Sequence, residues 1–248
     1  MGRDDDRRDW EELATLDPLW AIATKPGTRF DGWDQDAFFA AGQRQVARLM
    51  ATADRLGHPR GRARALDFGC GVGRHARALS EHFGECVGVD VSEQMVAHAR
   101  RLNAGVGNCR FVVNPDPHLR RFEDGQFDLV HSGLVLQHIS PEEVSGSYLP
   151  ELVRVLASGG LLSVQLPSAL PRRYRLALQR RAYRGLRRLG IPSSFLYRRL
   201  RLQPMRMTAL PEAEVRALLR SCGARLLDVQ TREASSGVRS GTYLATRD

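Results

Sequence analysis

The sequence predicts an α/β fold: a doubly wound, mostly parallel seven-stranded sheet, covered by helices on both faces and closed by an antiparallel hairpin. Three observations carry this expectation. Between residues 63 and 166, short apolar runs alternate with helical segments long enough to cross over a sheet, as βαβ units require. The first run, Ala63–Phe68, breaks into glycines at 69, 71 and 73, where such a sheet approaches its ligand. The last two runs, Arg225–Thr231 and Gly241–Thr246, are joined by a connection too short for a crossover, so they should pair antiparallel.

The elements follow in order. Residues 1–33 lack periodicity and read as irregular, although they hold all three tryptophans, Trp10, Trp20 and Trp33. Phe38, Phe39, Val46, Leu49 and Met50 predict a helix over about Gln35–Arg55, and Pro59 and Gly61 a loop. Ala76, Leu79 and Phe83 share one face of a helix over Arg74–Phe83. Cys86–Asp90 is a second strand, and Ser92 caps a helix to about Leu102 with Met95, Val96 and Ala99 inward. Arg110–Asn114 and Phe127–His131 are strands three and four. A helical region over Pro141–Leu156 should break near Pro150, and Gly159-Gly160 should turn into a fifth strand, Leu161–Leu166. Pro211–Cys222 is the closing helix. The chain thus divides into an N-terminal helical cap or lid (1–58), the sheet core (59–168), an Arg-rich helical insertion after strand five (169–210) and the closing helix and strands (211–248).

Composition narrows the function classes. At 248 residues and 42% hydrophobic content the chain can bury a sizeable core, but no stretch approaches the roughly 20 apolar residues of a membrane span. The charged N-terminus has no apolar run behind it and does not read as a secretory signal, so a cytoplasmic location is expected. Cys70, Cys86, Cys109 and Cys222 lack metal-ligand spacing; neither a metal nor a disulfide is expected. The net charge of +9 is local: twelve Arg and no Asp or Glu lie between Leu170 and Pro211, and 9 − 12 leaves the remainder at −3. On a helix over Arg172–Leu189, Tyr174, Leu178, Ala182, Leu186 and Leu189 form one apolar stripe, with Arg173, Arg180, Arg184, Arg187 and Arg188 mainly off it. Gly190 and Pro192 end that helix. Its place after strand five favours packing of the stripe on the protein's own core as a lid; a membrane surface or a polyanion ranks behind.

The glycine-rich turn has specific company. Asp67 precedes it, and a carboxylate there suits a cationic ligand and repels a pyrophosphate. The spacing is Gly-x-Gly-x-Gly; the dinucleotide fingerprint would place glycine at position 74, where Arg stands. Strand two ends in Asp90, about 20 residues on, where a carboxylate grips a ribose diol.

Together Leu66-Asp67-Phe68-Gly69-Cys70-Gly71-Val72-Gly73, Val87-Gly88-Val89-Asp90-Val91-Ser92, Phe127-Asp128-Leu129-Val130-His131-Ser132 with Leu136-Gln137-His138-Ile139, and Leu156-Ala157-Ser158-Gly159-Gly160-Leu161 resemble the class I S-adenosylmethionine (SAM)-dependent methyltransferases, which have a Rossmann-like fold. The resemblance covers about residues 60–168. It implies SAM as cofactor and S-adenosylhomocysteine as product. It places Gly69, Cys70 and Gly71 at the methionine part, Asp67 near its ammonium, Asp90 on the ribose hydroxyls, and Val91 and Met95 beside the adenine. It puts Ser132 near the carboxylate or sulfonium. In Asn114-Pro115-Asp116-Pro117-His118-Leu119 the family pattern is interrupted by an apparent insertion, so Asn114 and Asp116 compete for the adenine amine, with Leu119 as the apolar follower.

The implied reaction is displacement at an electrophilic methyl, catalysed mainly by positioning. His138, just after strand four, is the candidate general base for a hydroxyl acceptor, against a structural role in shaping the loop; His75, His131 and Asp128 read as structural. Trp20, Trp33, Gln137, Tyr174 and Met207 are candidate acceptor or lid residues. The expected acceptor is a small molecule methylated on O or N, such as a sugar or specialised metabolite. The Asn/Asp-Pro-Pro-Tyr/Phe motif of base and glutamine methylation is absent after strand four, so a nucleic-acid partner is not expected. The alternatives are an RNA or lipid-surface methyltransferase using the Arg-rich segment, and a non-catalytic SAM-binding module. An NAD-dependent oxidoreductase is disfavoured by the glycine spacing and Asp67.

Overall fold

The computed structural model describes residues 3–24, 27–30 and 32–248; the side chains of residues 3–6, Arg173 and Arg175 lie outside the description. Before the sheet come α1 (Arg3–Leu16), α2 (Pro18–Ile22) and α3 (Gln35–Leu56). Then follow β1 (Arg64–Phe68), α4 (Arg74–Leu79), β2 (Glu85–Asp90), α5 (Glu93–Leu102), β3 (Cys109–Val113), β4 (Phe127–Ser132), α6 (Pro141–Glu143), α7 (Leu149–Arg154) and β5 (Leu156–Ala169). The insertion holds α8 (Arg172–Arg175), α9 (Leu178–Arg188) and α10 (Ser193–Arg198). The chain ends with α11 (Glu212–Ser221), β6 (Ala224–Glu233) and β7 (Arg239–Arg247).

The seven strands lie in the order β3-β2-β1-β4-β5-β7-β6. The first five are mutually parallel, whereas β7 runs antiparallel to both β5 and β6. This is the Rossmann-like α/β fold expected. Strand order reverses between β1 and β4, and a crevice opens at their carboxyl ends. Successive residues alternate between two cores. Ala65, Cys86, Leu129 and Leu161 meet α3, α4 and α5 on one face, and Leu66, Val87, Val130 and Leu162 meet α7 and α11 on the other. A third cluster joins Leu13, Ala14 and Ala21 of the N-terminal segment to Phe38, Phe39, Val72 and Met95.

Four expectations need correction. The described residues of the N-terminal segment are largely helical, not irregular: Trp10, Leu13 and Ala14 give α1 a one-sided apolar contact that its charges obscure. Strand five starts at Leu156, because Gly159 (φ +71°) lets the chain bulge and continue pairing where a turn was expected. The Pro141–Leu156 region breaks near Pro150 as expected, where a wide turn over Val144–Tyr148 precedes α7 and the proline sits in its first turn. The helix expected over Arg172–Leu189 is two helices, parted at Ala177, whose φ is +49°.

The last correction concerns which side of α9 is buried. Arg180 and Tyr183 are buried, while Leu178, Ala182 and Leu189 face solvent. The reason lies in α1. Its Asp9 accepts from Arg184 at 2.8 Å, and Glu12 accepts from Tyr183 Oη at 2.6 Å and Arg187 at 2.6 Å. Half-buried ion pairs reinforced by a hydroxyl orient the helix by its arginines.

Candidate active site

The crevice at the β1–β4 switch is a cleft with about 1300 Å³ of empty space, its open mouth included.

Its floor is the turn after β1. Gly69 (φ +72°) and Gly71 (φ +52°) adopt left-handed conformations, and a Cβ on either would collide with Val135 or with Ile22 of α2. Asp90, at the end of β2, lines the cleft beside them. One of its oxygens accepts the Gly71 N–H at 2.9 Å and the other the Ser92 N–H at 2.9 Å. Burial raises the pKa of this carboxyl, with the two N–H groups acting the other way. A carboxylate can accept about four hydrogen bonds, so Asp90 keeps capacity toward the cleft. Val91, Met95 and Asn114 also line the cleft.

Other expected contacts fall outside the cleft lining. Cys70 is buried, its thiol directed to the Gly71 carbonyl at 3.6 Å. Asp116 turns onto its own loop and accepts the His118 N–H at 2.9 Å, while the Asn114 side chain donates to the Asp116 carbonyl. Of these two candidates only Asn114 lines the cleft, and Pro115 joins it. Leu119 is fully buried in the core, its N–H held by Glu151 at 2.6 Å. Ser132 is buried at the end of β4, its hydroxyl without a partner.

Asp67 also lies beneath the floor, 2% exposed, with one oxygen lacking any hydrogen bond. It pairs in register with His131 and meets the first turn of α4. Burial pushes its pKa up to about 7 against the opposing Ala76 N–H and Arg74 guanidinium. Asp67, His75 and His131 each bring a potential ligand atom within 4.8 Å of the others. The Arg74 guanidinium stands 3.3 Å from His75 Nε2, which also bonds Gln45 Oε1 at 2.7 Å. A cation beside an engaged nitrogen makes this a partly buried polar network, not a metal cage.

The roof was misassigned. Trp20 is buried between Tyr197 and the Arg29 guanidinium, and Trp33 donates to the Ala23 carbonyl at 2.9 Å. Neither lines the cleft; Trp10 does, with Arg7, Ala21 and Ile22. Tyr174 and Met207 of the insertion are likewise absent from the lining, which draws its far wall from Ile139, Glu143 and Tyr148. Sequence reasoning missed these residues. The wide helical turn that ends in Tyr148 is the sort of irregularity found at functional sites, but only the backbone reveals it. Leu134, another lining residue, has φ +66°, a strained conformation for a branched side chain.

His138 stands where the roof, the β4 exit and the insertion's return meet. Its ring lies 5.1 Å from that of Trp10. Nδ1 is 2.6 Å from the Arg206 carbonyl, which can only accept, so Nδ1 carries the proton. Nε2 therefore offers a lone pair, met by the Gln137 amide at 3.1 Å. Gln137 is thus a neighbour of the site, not part of its lining. Burial lowers the His138 pKa to about 4, against the Arg206 hydrogen bond, and keeps the ring neutral through the physiological range.

Residues 66–164 match the protein family described as “Methyltransferase domain”. A trans-aconitate 2-methyltransferase of Methylobacterium nodulans is 37% identical over 113 residues, 44% of this chain and 40% of that protein. A demethylmenaquinone methyltransferase of Staphylococcus saprophyticus is 36% identical over 103 residues, 40% of this chain and 42% of that protein. The chain thus matches less than half the length of these curated relatives. Among solved structures, magnesium protoporphyrin IX methyltransferase from Synechocystis PCC 6803 with bound SAH superposes with TM-score 0.65 at 21% identity, covering 100% of both chains. The 1,6-didemethyltoxoflavin-N1-methyltransferase of Burkholderia thailandensis superposes with TM-score 0.57 at 20% identity, over 84% of this chain and 79% of that one. At these identities the likeness is one of fold.

Proposed function

With residues 66–164 a class I methyltransferase domain of Rossmann-like fold, we propose that this chain transfers a methyl group from SAM to an oxygen or nitrogen of a small molecule. The observation that carries the reading is Asp90: a half-buried carboxylate at the end of β2, bonded to the glycine turn, with accepting capacity left on the cleft side. That acceptor fits a ribose diol, whose hydroxyls would donate to it. The left-handed Gly69 and Gly71 present backbone without side chains to the adjoining part of the ligand. Asp67, when ionised, supplies negative charge beneath the glycine turn, and the Ser132 hydroxyl, unpartnered among the described residues, lies at the neighbouring strand end. SAM, when bound, supplies a methyl already made electrophilic by its sulfonium.

This chain's residues then have to seat the acceptor, exclude water and handle a proton. Trp10, Ile22, Ile139 and Tyr148 enclose the space beyond the glycine turn in largely apolar surface. His138 presents the Nε2 lone pair; an acceptor hydroxyl that displaces the Gln137 amide donates its hydrogen bond there and passes its proton to the ring. The insertion reaches the site from behind, through the Arg206 carbonyl on His138 and Thr208 on the Gln137 carbonyl, and braces α1 from outside. Residues 1–58 and 169–210 therefore act together as the lid of the 59–168 core, with 211–248 completing the sheet. A small acceptor is supported by the names of the relatives, which specify trans-aconitate, demethylmenaquinone and 1,6-didemethyltoxoflavin.

Titration calorimetry should show SAM and S-adenosylhomocysteine binding one to one, and NAD not at all. Asp90→Ala should weaken SAM by about 1.5–3 kcal/mol, the scale for hydrogen bonds to a charged group. Methyl-labelled SAM incubated with a metabolite extract should label small molecules and leave an RNA pool unlabelled. NAD binding without SAM binding would refute the reading.

A further inference from the structure

Leu178 at the start of α9 and Leu189 at its C-cap point away from the protein. Leu178 is 60% exposed, and Leu189, at the helix end, is 79% exposed. With Ala182 and Gly185 they fall within about 60° of one another around the helix axis. Arg181 and Arg188, both exposed, border this stripe on one side. The buried face consists of Arg180, Tyr183, Arg184 and Arg187, held on the α1 carboxylates. A surface helix ordinarily buries its apolar stripe and leaves its charges in water; α9 does the reverse. The following helix adds Phe195, 49% exposed.

Three kinds of partner could cover such a face. A nucleic acid would engage the arginines and aromatic rings and gain little from leucines. A second copy of this chain would set arginine against arginine, since no Asp or Glu occurs between Leu170 and Pro211 to neutralise it. An anionic bilayer uses both features, taking Leu and Phe into the headgroup–acyl boundary and arginines onto lipid phosphates. We propose that the outer face of α9, continued by Phe195 of α10, is a docking surface for an anionic lipid bilayer. The docking does not depend on the chemistry in the cleft. Among the described residues no helix is long and apolar enough to cross a membrane, so the contact is peripheral.

The test is co-sedimentation of the full chain with vesicles of phosphatidylcholine, alone or mixed with phosphatidylglycerol, over a range of salt. The protein should bind the mixed vesicles, release steeply as salt rises, and ignore phosphatidylcholine alone. Arg181→Gln with Arg188→Gln should weaken binding roughly thirty-fold. Leu178→Ser with Leu189→Ser should weaken it about tenfold or more. These side chains face solvent, so thermal melts of both variants should match the parent and exclude misfolding as the cause. Failure to bind the mixed vesicles would overturn the proposal, as would vesicle binding indifferent to the leucine pair. Two further results would overturn it: polyuridylate bound in preference to vesicles, or a dimer in light scattering that the leucine variant dissolves.

Discussion

Asp67→Asn isolates the cost of a buried carboxylate. In the fold the Asp67 carboxyl titrates near 7, against an ordinary value of 3.8, chiefly because burial disfavours the charged form. The interval from 3.8 to about 7, at about 1.36 kcal/mol per pH unit, amounts to about 4 kcal/mol. Its folded pKa is raised, so the stabilisation associated with the proton is complete below pH 3.8 and is lost as pH rises through about 7. Above pH 7 the ligand-free protein carries an ionised, incompletely bonded carboxylate, and Asn avoids that cost while still accepting from the Ala76 N–H. The variant should therefore be more stable than the parent at pH 8, by up to about 4 kcal/mol, and the difference should shrink steadily to pH 4. Urea unfolding of both proteins across this range reads the difference directly, since other titrating groups cancel. The same carboxylate should favour a cationic ligand, so SAM affinity should climb between pH 6 and 8 in the parent and stay flat and weaker in the variant. A stability difference independent of pH would mean that Arg74 already holds Asp67 ionised. A parent SAM affinity indifferent to pH would reduce Asp67 to an anchor for α4.

Two other perturbations bear on the cleft. His138→Ala should lower turnover on a hydroxyl acceptor about 100-fold with SAM affinity nearly unchanged; because burial holds the ring near 4, the acidic limb of the parent's pH–rate profile should lie near pH 4 and vanish in the variant. Asp9→Asn combined with Glu12→Gln should cost about 1–2 kcal/mol of stability, the range between exposed and fully buried ion pairs, and raise the acceptor KM more than it lowers kcat as α1 loosens over the cleft; equal effects on both kinetic constants would count against the lid.

The parts of the site that could be read from sequence are those that local chemistry determines. Gly69 and Gly71 are required by backbone conformation, and Asp90 by its place at a strand end, so a short window contains the signal. The choice among three tryptophans was not of that kind. Trp10 reaches the cleft because Glu11 seats α1 on α5, accepting the Glu93 N–H at 2.6 Å and the Ser92 hydroxyl at 3.1 Å, more than 80 residues away. Trp20 and Trp33 look equally suited in sequence and are absorbed by Tyr197 and Phe38. In the insertion, periodicity correctly put the leucines on one side and most of the arginines on the other. It could not say which side faces inward, because that depends on Asp9 and Glu12, carboxylates some 170 positions earlier. Asn114 and Asp116 are not told apart by sequence because both are polar and both bond within the same loop, and only the folded backbone brings Asn114 to the cleft lining.

The wiring of α1 has a temporal side. Its partners on α9 lie 171 to 175 residues downstream. During translation at about 5–20 residues per second, α1 lacks its α9 partners for roughly 9 to 35 s before Arg187 is synthesised. Through that interval Trp10 and Leu13 are covered by α2, α3 and α5, through the cluster with Ala21, Phe38 and Met95. Locking of α1 against α9 is consequently a late event with a large loop-closure entropy, completed only after five of the seven strands have been made.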